Sequence, residues 1–406
     1  MVDFWIEAAS FLLRWLHVVA AIAWIGESFY FVMLDRALKP PRQGAPGVFG
    51  ELWSVHGGGF YHKQKYLVSP PQMPEDLHWS KWKSYTTWLS GFALLSVVYL
   101  AQPGIYLIDP AVAALSPAQS IALALAFLAG GWIVYDLACR LVGFRDQVLG
   151  VIVALLVLAL CYAATHLFAG RAAFLLVGAT MATIMTANVF FIIIPGQKRM
   201  VAALARGETP DPLPGKQGKQ RSVHNTYFTL PVVFAMLSIH YAPAHAHEQA
   251  WLVLALFMSA GALIRQFFVL WHSGGRAWWL LVAGGLVLLA TFAWLAPKPR
   301  PMDYAPTPHY DDSPSVPAQP SMATPDTAAV RAILAQRCVQ CHAQQPTLMA
   351  SAPLGAMLES EAQIEARADK IYSQVVQLKI MPPGNLTQLS EAEREQIARW
   401  YEARPR

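Results

Sequence analysis

The sequence predicts an all-α protein, an eight-helix transmembrane bundle followed by a small soluble helical domain. Three observations carry this. The chain is 55% hydrophobic and only 14% charged, against about 25% charged in ordinary soluble proteins. Apolar stretches long enough to cross about 30 Å of hydrocarbon recur eight times. Charge is also uneven, because residues 326–406 hold 18 of the 55 charged side chains.

The candidate spans lie near residues 11–34, 84–103, 119–139, 148–167, 173–195, 225–242, 249–271 and 277–297. The first starts too close to the N-terminus for a basic n-region, exceeds a signal h-region and lacks a small-residue cleavage site, so it reads as a span. Pro231 interrupts the short stretch 225–242, a kink that neighbouring helices tolerate. Placing both termini outside puts 16 basic residues in inner connections, including Arg36, Lys83, Arg140, Arg145, Lys216, Arg221 and Arg276, against Arg171, Lys298 and Arg300 outside. That bias fits the positive-inside rule and requires an even number of spans. The basic residues fall in short runs rather than one patch, which excludes a nucleic-acid partner despite the net charge of +5. Membrane lipid is the expected surrounding. Residues 1–297 thus form an integral membrane domain, 298–325 a tether and 326–406 a C-terminal domain. Nine prolines from Pro297 to Pro325 predict an extended, semi-rigid tether. The inner loop 35–83 is rich in aromatics and carries Gly57-Gly58-Gly59, and loops of that length usually have a role.

Cys139 and Cys161 sit in apolar stretches and read as buried small hydrophobes. Cys338-Val-Gln-Cys341-His342 is the attachment motif of c-type haem. Each thiol adds to a haem vinyl group, and His342 becomes the proximal iron ligand. A zinc site would need two more ligands nearby, and a redox dithiol would need a βαβ setting that this segment lacks. Met381, in Lys-Ile-Met-Pro-Pro-Gly-Asn, is the expected sixth ligand, since the prolines and glycine force an irregular loop. Met349 and Met357 compete with it. Ser390 and Glu393 form a capping box opening a final helix with Ile397 and Trp400. The last fifth of the chain looks like a class I cytochrome c. Bacteria attach haem c in the periplasm, which independently demands an outside C-terminus.

Ionisable groups within spans are functional candidates. Toward the outer side lie His17, His166 and His240, with His245 and His247 nearby. Two of His17, His166 and His240 could hold a haem b as a stepping stone to the C-terminal haem; ordinary hydrogen bonding is the alternative. Toward the inner side lie Glu27, Asp136, Arg140, Asn188, His224, Arg265 and His272. Arg265, with Gln266 and Glu27, could bind a planar anion by forked hydrogen bonds. Asp136 and Arg140, at i and i+4, read as a structural ion pair.

The segments from His17 to Phe31, from His56 to Tyr66 and from Leu77 to Gly91, ahead of a C-terminal cytochrome c, resemble the bacterial membrane-bound urate hydroxylases, the cytochrome c urate oxidases. The likeness spans the chain, although copper-resistance and haem-binding membrane families share the first-span pattern. It implies an inner-membrane, multi-pass enzyme that oxidises urate to 5-hydroxyisourate with water as the oxygen source. Electrons would leave through haem c to a respiratory-chain acceptor, with no peroxide formed. For such a substrate the inner loop offers His56, His62, Lys65 and His78 beside aromatics, with His56 and His78 as catalytic candidates alongside Glu27 and Arg265; an interfacial aromatic belt is the alternative reading. Two rival functions share the architecture: a cytochrome c-linked dehydrogenase of another metabolite or quinol, and a non-enzymatic haem or copper protein.

Overall fold

The computed structural model describes residues 2–42, 46–67, 69–296, 327–349 and 352–404. The chain divides into two compact units, Met1–Thr291 and Phe292–Arg406. The stretch expected to form the tether lies outside the described residues.

In the first unit α1 (Val2–Ala37) leads into a hairpin of β1 (Val48–His56) and β2 (Gly59–Tyr66), then α2 (Trp82–Leu94) and the short α3 (Pro103–Tyr106). There follow α4 (Pro117–Val142), α5 (Asp146–Thr165), α6 (Gly170–Ala187), α7 (Ile194–Ala205), α8 (Leu213–Leu237), the short α9 (Ala242–His245), α10 (Ala250–His272) and α11 (Trp278–Leu295). Among the described residues, six helices are long and apolar enough to cross a membrane: Ala8–Ala37, Pro117–Val142, Asp146–Thr165, Gly170–Ala205, Ala250–His272 and Trp278–Leu295. The other two expected spans fall on α2 and α8. As an α-helix α2 has 13 residues before it widens into a π-helical stretch, Leu95–Leu100. The first turns of α8 carry Lys216, Lys219, Arg221 and His224.

Local chemistry sets the helix limits. Ser116 and Gln119 cap α4 reciprocally with Pro117 in its first turn, and Gly143 ends it at φ 67°. α8 runs through Pro231, and a Cβ on Gly261 of α10 would fall 3.2 Å from that proline's Cδ. Glycine therefore lets α10 close on the interruption. α6 widens into a second π-helical stretch, Asn188–Ile193.

Contacts define two ends of the bundle. At one, Lys83 meets Glu27 at 2.7 Å, Arg36 reaches Ser273 at 3.5 Å, and Gln220 donates to the Gly143 carbonyl at 2.9 Å. At the other, the Ala169 N–H donates to the Leu107 carbonyl at 2.9 Å, and Gly170 packs against the His245 carbonyl. Arg36, Lys83, Arg140, Arg145, Lys216 and Lys219 gather at the first end, the one expected from the sequence to be inner.

An all-α chain was expected, and the hairpin departs from it. Trp53 pairs with His62 and Val55 with Phe60 across the strands. Gly57 and Gly58 make the two-residue turn with φ of 59° and 80°, the left-handed pair that a type I′ turn requires.

The second unit contains α12 (Thr327–Arg337), the short α13 (Glu361–Glu365) and α14 (Ala368–Ile371), and α15 (Glu391–Glu402). The expected capping box forms between Ser390 and Glu393. Ile397 and Trp400 of α15 join Val330, Ile333 and Leu334 of α12 in one apolar core, with Met381 packed against it.

Candidate functional site

Arg265 of α10 is fully buried, and its Nε, Nη1 and Nη2 meet no hydrogen-bond partner among the described residues. Its guanidinium lies 3.8 Å from the ring centroid of Phe29 on α1. A desolvated cation without a carboxylate costs several kcal/mol, and a cation–π contact returns only about 0.5–2 kcal/mol. The packing that buries it is specific. Gly261 and Arg265 are one turn apart on α10; the glycine meets Pro231 of α8, which brings Arg265 level with Tyr227, one turn before that proline. Pro231 has no N–H to give the Tyr227 carbonyl. The Tyr227 hydroxyl donates to Gln266 Oε1, which engages the amide oxygen and leaves its N–H groups as the donors. A cation, an amide, a phenol and an aromatic face thus converge where α1, α8 and α10 meet, and together they suit a flat, hydrogen-bonding anion.

Glu27, expected to act with Arg265 and Gln266 on a planar anion, makes its hydrogen bonds to other residues. Its carboxylate accepts from Lys83 at 2.7 Å and from Ser80, joining α1 to the start of α2. Asp136 and Arg140 form the expected pair at 2.6 Å. They belong to a larger network that sequence reading missed: Arg221 donates to Asp136 at 2.6 Å, Asn188 donates to Asn225 at 2.9 Å and to the Tyr135 hydroxyl at 3.2 Å, and that hydroxyl bonds His224 Nδ1 at 2.7 Å. Here the buried charges have partners, so the network reads as structural, in contrast to Arg265.

The outer histidines differ in setting. His17 Nδ1 lies 3.0 Å from the Thr87 carbonyl and 3.1 Å from Ser90 Oγ. Its ring rests on Gly91, where a Cβ would come within 2.8 Å of Cε1. His166 Nδ1 bonds the Tyr162 carbonyl at 2.7 Å, while His240 is exposed. Carbonyl partners at Nδ1 fix the tautomer that leaves Nε2 with a lone pair, the form in which imidazole binds iron. His56 sits exposed at the hairpin tip, and His78 is exposed on the segment before α2. No hydrogen bond or ring contact joins either to Arg265 among the described residues.

The C-terminal unit brings the motif residues together. Cys338 is buried, Cys341 half-buried, and both thiols are free. The His342 N–H donates to the Cys338 carbonyl at 2.9 Å. His342 Nδ1 bonds the Ala356 carbonyl at 2.7 Å, again leaving Nε2 as a lone-pair donor. Two reduced thiols in one turn, an oriented imidazole and a thioether on the same core fit covalent haem.

Neither the curated proteins nor the solved structures contain a match to this chain. The family model for the urate oxidase N-terminal region matches residues 3–296, the whole helical bundle with its hairpin and the buried Arg265. The chain belongs to the urate oxidase N-terminal family, which ties its helical unit to urate-related oxidation.

Proposed function

We propose that this chain oxidises urate to 5-hydroxyisourate in its helical unit and passes the electrons through its C-terminal unit to the respiratory chain. Family membership supports urate; the observation that carries the reading is the buried, unpartnered guanidinium of Arg265 over Phe29. Urate is a flat anion bearing both carbonyls and N–H groups. Arg265 would take its charge, Phe29 would support the ring, and Gln266, held by Tyr227, would read its polar edge. The urate anion plus water gives 5-hydroxyisourate, one proton and two electrons, so oxygen is not consumed and peroxide is not formed. His78, two residues before the Ser80 that bonds Glu27, and His56 are the proposed proton acceptors.

Cys338, Cys341 and His342 would hold haem c, with Met381 as the sixth ligand; when bound, it supplies a one-electron acceptor. Arg265 lies toward the inner end. Glu27 and His17 are ten residues apart on α1, about 15 Å at 1.5 Å per residue, so a second redox centre nearer the outer end would shorten the path. Two of His17, His166 and His240 are proposed to bind haem b there. In this reading all eight long helices cross the bacterial inner membrane and the C-terminal unit is periplasmic.

Anaerobic addition of urate to the purified holoprotein is expected to reduce haem c without peroxide, and His342→Ala to abolish that signal. Reduction by quinol or xanthine but not by urate would transfer the function to another cytochrome-linked dehydrogenase. Haem that stays ferric with every donor would overturn the enzyme reading.

A further inference from the structure

We infer that Arg394 is the positioning residue that fixes the Met381 loop and thereby sets the axial ligation and reduction potential of the C-terminal haem, an inference that rests on the haem c reading above. Arg394 is 5% exposed and projects from the first turns of α15. Its Nη1 donates to two backbone carbonyls, that of Met381 at 2.9 Å and that of Val375. Val375 belongs to the π-helical stretch Tyr372–Gln377, so one guanidinium ties the helix before the loop to the loop itself.

The loop needs such a tie. Lys379, Asn385 and Gln388 hold φ of 50°, 50° and 57° without being glycine, and left-handed backbone at such residues costs of order 1–3 kcal/mol each. Neighbouring bonds supply part of the restraint: the N–H groups of Ile380 and Met381 both donate to the Gln374 carbonyl, at 3.0 and 3.2 Å, and Asn385 exchanges two bonds with the backbone of Leu389, at 2.9 and 3.1 Å. Only Arg394 among these brings a charge. Its Nε has no hydrogen-bond partner among the described residues, and the nearest carboxylate, Glu391, stands 3.6 Å away, exposed, and already bonded to Lys379 at 2.7 Å. A buried cation so weakly countered, fastened to the carbonyl of the ligand residue, disfavours the more positive ferric state and holds the thioether in place. Both effects raise the potential.

The test uses full-length holoprotein. A pyridine haemochrome first measures covalent haem in the wild type, Arg394→Gln, Arg394→Lys and the core control Ile397→Ala. At equal haem content, Arg394→Gln is expected to lose the weak far-red absorption band of methionine-ligated ferric haem and to titrate at a lower potential, as Met381→Ala does. Arg394→Lys, which keeps the charge and one donor, is expected to retain the band in part. Ile397→Ala is expected to lower the melting temperature while keeping band and potential. Should Arg394→Gln fail to accumulate, the lysine variant decides: an unchanged band and potential overturn the inference. The inference also falls if Arg394→Gln behaves like Ile397→Ala. Absence of haem from the wild type would remove the haem reading itself, a result separate from any effect of Arg394.

Discussion

At the scale of single residues, Arg265 sets stability against function. If its guanidinium waits for an anion, the unliganded fold carries the cost of an unpaired buried charge. Arg265→Met keeps the length and fills the same space, so it is expected to raise the melting temperature while abolishing reduction of the haem by urate. Arg265→Lys keeps the charge but loses the fork. A charge-assisted hydrogen bond is worth about 1.5–3 kcal/mol, so kcat/KM for urate should fall roughly 10- to 100-fold. A methionine variant that is both less stable and still active would show that Arg265 is an ordinary structural cation. Arg265 was legible from the sequence because a lone arginine in an apolar run of about 20 residues is costly to keep. Phe29 and Tyr227 were not, since aromatic residues in such helices are ordinary; the packing of α1 on α10 brings Phe29 to the guanidinium, and the crossing at Pro231 and Gly261 brings Tyr227 level with it. Glu27 was legible as a functional candidate, but its bond to Lys83 was not, because Lys83 comes from α2, which only the fold lays against α1.

At the scale of elements, the hairpin shows how a signal can be present and overlooked. Two glycines between runs of alternating side chains are a hairpin signature, yet the aromatic and basic composition of residues 35–83 points just as readily to binding. The hairpin is tied back to α1 by Lys65, which meets Asp35 at 2.7 Å. Inside it, Glu51 is buried and accepts from the Arg42 backbone N–H at 3.0 Å and from His62 at 2.8 Å. These bonds, the backbone one foremost, hold its carboxyl below the usual carboxylate range against the opposing effect of burial. The stabilisation is therefore complete above the ordinary carboxylate pKa and is lost as pH falls through the lowered native value. Hydrogen exchange of the strand amides, corrected for intrinsic rates, is expected to show protection declining in that acid window, with Glu51→Gln flattening the dependence. Identical profiles for the two proteins would remove Glu51 from the account. Between α4 and α6, a Cβ on Gly131 would collide with Thr180 Cγ2; Gly131→Ala should cost about 1–3 kcal/mol, read as a lower melting temperature in detergent.

At the scale of the whole molecule, the question is how the helices that fall short in length or apolarity relate to the bilayer. Were only the six apolar helices to cross, α2 and α8 would lie outside the hydrocarbon, and the connections between α2 and α8 would change sides. The connection at 206–212 and the basic start of α8 would then face outward, together with Arg145, contrary to the positive-inside rule. The packing argues the same way. α2 follows α1 from Lys83 beside Glu27 to Ser90 beside His17, about 10 Å along α2 and about 15 Å along α1 at 1.5 Å per residue. α8 follows both α6 and α10, with Asn225 donating to the Met185 carbonyl at 3.0 Å, Ala235 under Gly178 and Pro231 against Gly261. Helices threaded so far between apolar neighbours share their depth. The polar first turns of α8 are accommodated because Arg221 and Asn225 find partners on α4 and α6, pairings that a hydropathy window cannot register. An impermeant maleimide applied to intact cells is therefore expected to label Ala111→Cys, in the exposed connection before α4, and to reach Glu208→Cys only after permeabilisation. The opposite pattern would establish six crossings and overturn the eight-span reading.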